Sequence, residues 1–136
     1  MQISNKWRAV LAVIAGLVTA IVVIMGVETL SPHAPPPDID VSDRAALGAW
    51  VSSLPFSAFA LILLAYLLGA LAGGYVTNRL AAPTPYRPAL VTGFALFVFG
   101  AMNLVTIPHP LWFVLVSSAT HFVGAWIGGR LAGMAS

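Results

Sequence analysis

The chain has 136 residues, of which 60% are hydrophobic and 7% charged, and its mean hydropathy is +0.95. An ordinary soluble domain carries roughly a quarter charged residues, so this composition excludes a water-soluble globule and makes a lipid bilayer the partner. The net charge of +2 comes from a few dispersed Lys and Arg, which argues against a nucleic-acid partner, and the absence of cysteine excludes disulfides and thiolate metal sites.

Crossing a hydrocarbon layer of about 30 Å takes around 20 helical residues. Four apolar stretches are long enough: 7–30, 55–80, 89–107 and 110–134. The first follows Lys6 and Arg8 like a secretory signal, but its apolar run outlasts a signal core and no small-x-small cleavage site follows, so it reads as a retained signal-anchor helix. Unpaired backbone groups in lipid cost several kcal/mol each, and the alternation of a membrane barrel is missing. The predicted fold is therefore a single all-α membrane domain of four transmembrane helices, with loops at 31–54 and 81–88 and a turn at 108–109.

The first loop has its own organisation. Pro32, Pro35, Pro36 and Pro37 should hold its start extended. Further on, Leu47, Trp50, Val51 and Leu54 recur at helical spacing, with Ser42 or Asp43 available as N-cap, which predicts a short interfacial helix.

Lys6, Arg8, Arg79, Arg87 and Arg130 fall on one side of the four spans, and Arg44 lies alone on the other beside Asp38, Asp40 and Asp43. Positive charge marks the cytoplasmic side, so both termini and the second loop are expected inside. Trp50 and Trp112 outside, with Trp7, Tyr75 and Tyr86 inside, fit two aromatic belts.

The most specific pattern is an internal repeat. Pro55 is followed by Gly69-Ala70-Leu71-Ala72-Gly73-Gly74, and Pro110 by Gly124-Ala125-Trp126-Ile127-Gly128-Gly129, at one offset of 55 residues. Glu28 and Asn103 each precede a Pro-His pair, at Pro32-His33 and Pro108-His109. Two repeated hairpins in the same orientation account for this, as does convergence on a common packing motif. Gly69, Gly73, Gly124 and Gly128 form small-residue ridges that let backbones approach closely. The ridges join the second and fourth spans within one chain, or one of them faces outward and makes a homo-oligomer or docks a membrane-protein partner.

Polar residues are few enough to weigh singly. His121 lies about 16 Å along its helix from Pro110, near mid-membrane, with Tyr66 as its repeat counterpart; it is either hydrogen-bonded glue to Tyr66, Ser117 or Thr120, or a proton-relay or ligand contact. Haem held by two histidines needs a second at the same depth, and the chain has none, so no cofactor is expected. Glu28 is the one acid in any span, and with His33, Asn103, His109, Asp38 and Asp40 it can line a polar outer vestibule. His33, His109 and Glu28 are weak metal candidates because they lack the short spacing of a helical site. No catalytic motif is present: there is no paired-carboxylate motif, Gly-x-Ser-x-Gly turn, His-Glu-x-x-His or phosphate-binding glycine loop. Ser117 and His121, four apart on one helix, are better explained by packing than by hydrolysis.

The combination of Glu28, His33-Ala34-Pro35-Pro36-Pro37, Pro55, the Gly69 to Gly74 ridge, Asn103, Ile107-Pro108-His109-Pro110-Leu111-Trp112 and the Gly124 to Gly129 ridge resembles a family of uncharacterised small bacterial four-helix membrane proteins. The resemblance covers nearly the whole chain and implies a bacterial inner-membrane location. It brings no activity with it. Two functions fit the residues: binding or transport of a small molecule or ion, and an accessory subunit that docks partner helices through glycine ridges.

Overall fold

The computed structural model describes residues 4–81 and 86–135, so most of the second loop lies outside the described residues. Among the described residues five helices follow in order: α1 (Asn5–Glu28), α2 (Arg44–Ser53), α3 (Phe56–Leu80), α4 (Arg87–Thr106) and α5 (Leu111–Met134). All except α2 are long and apolar enough to cross a membrane.

Helix boundaries follow local chemistry. Pro55 and Pro110, which cannot donate a backbone hydrogen bond, stand immediately before α3 and α5, where no donor is needed. Asp43 caps α2 by accepting from the Ala45 and Ala46 amides. Just before it, the hydroxyl and amide of Ser42 both donate to the Asp40 carboxylate, at 2.6 and 2.9 Å, and hold its pKa below the usual carboxylate range.

Helix α3 is the centre of the bundle, packed most extensively against α5 and α1 and less against α4. The two ends of the bundle are built differently. At the end carrying both chain termini, small residues bring backbones together. A Cβ on Gly73 would lie 2.7 Å from the Gly16 carbonyl oxygen of α1, and one on Gly69 would lie 2.9 Å from the Ala20 oxygen. Gly124 and Gly128 instead meet α3, at the Leu67 and Leu71 carbonyls. Positions 55 residues apart thus face different neighbours: Gly69 and Gly73 face α1, whereas Gly124 and Gly128 face α3. Thr77 and Thr92 share a buried hydroxyl hydrogen bond of 2.7 Å between α3 and α4, so two polar groups satisfy each other where no water enters.

At the other end, which carries α2, rings replace glycines. Val51, Phe59 and Phe113 form a buried cluster joined by Trp50, Leu54, Ile62, Tyr66, Leu104 and Ile107. Trp112 stacks on Phe56 at 5.7 Å and meets Phe59 edge-on at 5.5 Å. Helix α2 lies across this cluster with Leu47 and Val51 buried, and Gly48 gives it close approach to Pro108 in the turn between α4 and α5.

Arginines that the sequence reading used only to orient the spans also hold the helix ends. Arg8 donates from Nε to the Leu80 carbonyl at the end of α3 (2.8 Å), Arg44 from Nη1 to Val105 at the end of α4, and Arg79 from Nη1 to Ala135 just past α5 (3.3 Å). Each places a cation against carbonyls that have no helical partner, at the negative end of a helix dipole. Arg44 thereby ties α2 to the bundle.

Candidate functional site

Ring packing at the α2 end leaves a cavity of about 290 Å³ beneath α2. Glu28 and Ser31 reach it from the end of α1, His33 from the first loop, Tyr66 from α3, Asn103 from α4 and His109 from the turn before α5. Apolar side chains, including Trp50, Phe59, Ile62 and Ile107, complete the lining. Glu28, His33, Tyr66, Asn103 and His109, singled out in the sequence for separate reasons, therefore share one cavity.

Chain topology explains the convergence. The carboxyl ends of α1 and α4 and the amino ends of α3 and α5 come together at one end of the bundle, where the side chains of Trp50 and Val51 from α2 meet theirs. Glu28 and Asn103 occupy the last turns of α1 and α4 and remain exposed at the rim. Tyr66 sits three turns into α3, half-buried. Its phenol lies in the field of Glu28 and beside the Asn103 amide.

His109 is the most constrained of the polar groups. Its Nδ1 is 2.7 Å from the Ile107 carbonyl oxygen, and its ring stacks on Phe113 with centroids 5.0 Å apart. A carbonyl oxygen only accepts, so Nδ1 carries the proton and donates it to Ile107. The His33 amide donates to Ser31 Oγ at 3.2 Å, which bends the chain back toward the cavity after α1.

His121 does not line the cavity. It lies beneath it, 3% exposed, with its ring 5.0 Å from that of Tyr66. Gly100 of α4 makes room for it: a Cβ there would sit 3.0 Å from His121 Cε1. The nearby hydroxyls are engaged elsewhere, Ser117 with the Val114 carbonyl and Thr120 with Val116. Among the described residues, His121 Nδ1 is buried with no hydrogen bond of normal geometry, the Ser117 backbone lying near the ring, and ring contact with Tyr66 is its clearest tie to the bundle.

Among the described residues, no group of three or more His, Asp or Glu side chains is placed to hold a metal ion. Glu28, His33 and His109 share a cavity wall without forming such a group. Gly69, Gly73, Gly124 and Gly128 lie away from the cavity and face helices of the same chain. Sequence reasoning did not anticipate Trp50, Phe59 and Ile62 as cavity walls; it assigned Trp50 to an aromatic belt, and only the folding of α2 over the bundle places it at the cavity.

Comparison with known proteins finds no matching family model, no matching curated protein and no matching solved structure. Function is therefore read from the residues themselves.

Proposed function

We propose that this chain is a multi-pass protein of the bacterial inner membrane that binds a small molecule in the cavity under α2, at the outer face. The observation that carries the reading is the convergence of Glu28, His33, Tyr66, Asn103 and His109 on one apolar-walled cavity. A small-molecule site is a mostly apolar concavity with a few convergent polar groups, and ionisable residues near membrane depth are costly unless used. Lys6, Arg8, Arg79, Arg87 and Arg130 support placing both termini in the cytoplasm, which puts α2 and the cavity outside. The burial of Leu47 and Val51, which seats α2 on the bundle, supports a position for this helix at the level of the outer headgroups. The recurrence of Pro55 and Pro110 before equivalent glycine ridges supports an origin in two copies of one hairpin whose contacts have since diverged.

An accessory subunit that docks partners through its glycines is less well supported, because those glycines meet α1 and α3 of the same chain.

Ligand binding raises stability by RT ln(1 + [L]/Kd), about 2.7 kcal/mol at a hundredfold excess over Kd. A panel of small water-soluble compounds screened against the protein in lipid nanodiscs should raise the melting midpoint for a subset of them. Ala58→Phe, which places a ring in the cavity wall, should abolish those shifts while the variant still melts cooperatively. If no compound shifts the wild type, or if shifts are equal in Ala58→Phe, the reading is wrong.

A further inference from the structure

We infer that the ligand of this cavity is an organic ammonium, held by the Glu28 carboxylate; this rests on the binding reading above. The first argument is charge. Among the lining residues Glu28 is the one acid, and no Lys or Arg stands beside it. Arg44, the basic side chain of the α2 end, is committed to the Val105 carbonyl. An anionic ligand would meet Glu28 with no cation to hold it, whereas a cation would find its counter-ion within the wall.

The second argument is hydrogen-bond polarity. With the Nδ1 proton of His109 engaged by Ile107, Nε2 is the ring nitrogen left for a ligand, and it accepts in the neutral tautomer. Glu28 accepts only, and the Asn103 carbonyl and Tyr66 oxygen can accept as well. The Asn103 amide and the Tyr66 and Ser31 hydroxyls can donate as well, so the group that calls for an N–H donor is the Glu28 carboxylate, which when ionised only accepts. A hydrated metal ion fits less well, because the described residues hold no group of three acidic or His ligands.

The third argument concerns the walls. Trp50, Phe59 and Tyr66 all line the cavity, and aromatic rings attract organic cations through their negative faces, more strongly when the pair is desolvated. A carboxylate at the rim with aromatic walls beneath suits a charged head that carries carbon substituents. At roughly 30 Å³ per water-sized group, the cavity volume of about 290 Å³ limits the ligand to about ten non-hydrogen atoms. The same chemistry is offered by a free amine and by the ammonium headgroup of a lipid in the outer leaflet.

The test measures calorimetric binding to the protein in phosphatidylglycerol nanodiscs, with ethylammonium, tetramethylammonium, the neutral tert-butyl alcohol and acetate as probes. Expected are at least tenfold tighter binding of an ammonium probe than of the alcohol, and no binding of acetate. Glu28→Gln should remove the ammonium preference and leave the alcohol unchanged, while Glu28→Asp should retain it, which separates lost charge from lost folding. Repeating the titration in phosphatidylethanolamine nanodiscs identifies the source. Weakened ammonium binding there points to the lipid headgroup and unchanged binding to a free amine, and both agree with the inference. Alcohol binding as tightly as ammonium, or a preference that survives Glu28→Gln, overturns the ammonium assignment and leaves the cavity reading standing. Failure of every probe, together with a compound panel that shifts no melting midpoint, removes both.

Discussion

The two ends of this bundle solve the same packing problem with opposite materials. At the terminal end, Gly16, Gly73, Gly124 and Gly128 let helix backbones touch, and Thr77 and Thr92 satisfy each other in the seam. At the α2 end, Phe59, Trp112, Phe113 and His109 hold the helices apart by ring contacts and leave a cavity. In lipid no hydrophobic force drives helices together, so close approach through small residues is the efficient way to join them. Large rings add dispersion but tile imperfectly, and the gap collects the polar groups that helix ends and turns bring to it. The comparison teaches that both ends hold the structure, one by close backbone approach and the other by ring contacts, and that the ring-packed end is the one that leaves room for a ligand.

The contrast predicts opposite sensitivities. The largest effect should come from Phe113→Ala, since this ring is 0% exposed at the centre of the α2-end cluster; removing a buried Phe costs about 3–5 kcal/mol, read as a lower melting midpoint in detergent or nanodiscs. At the terminal end the damaging change is enlargement. Gly128→Ala drives a methyl into the Leu71 carbonyl oxygen and close to the Tyr75 amide nitrogen, backbone that cannot yield easily, and should cost about 1–3 kcal/mol by overpacking.

Gly26→Ala is the internal control. Nothing lies within 4 Å of a Cβ at this position of α1, so the better helix former should be neutral or stabilising by at most about 1 kcal/mol. Equal losses at Gly26 and Gly128 would break the comparison. The smallest global effect is expected from Arg44→Gln. This exposed side chain ties α2 to the end of α4, and the midpoint should move by about 0.5 kcal/mol or less, while amide exchange in α2 should quicken and that in α3 should not.

Much of the architecture was legible in the sequence because a bilayer imposes length and apolarity on every span. The helix over Arg44–Ser53 announced itself through the spacing of Leu47, Trp50 and Val51 and through Asp43 as cap. The polar residues of the cavity were also visible, since a Glu, an Asn or a His stands out against apolar neighbours. Their meeting was not, because it depends on where α2 lands and on which helix ends share one side. Glycine patterns told that helices touch, but not which ones: Gly69 and Gly124 look equivalent in sequence, yet Gly69 meets α1 and Gly124 meets α3. The arginine caps were hidden for a similar reason. Arg8 and Leu80, or Arg44 and Val105, are distant in the chain, and nothing local marks them as partners.

The most direct test of an open α2 end and a closed terminal end uses the absence of native cysteine. Ile62→Cys places a thiol in the cavity wall, and Thr92→Cys places one in the buried seam beside Thr77. The account predicts that a small, membrane-impermeant methanethiosulfonate added from outside modifies the Ile62→Cys protein as readily as Ser31→Cys at the cavity mouth, and leaves Thr92→Cys untouched. An unreactive Ile62→Cys thiol, or equal modification of Ile62→Cys and Thr92→Cys, would contradict it.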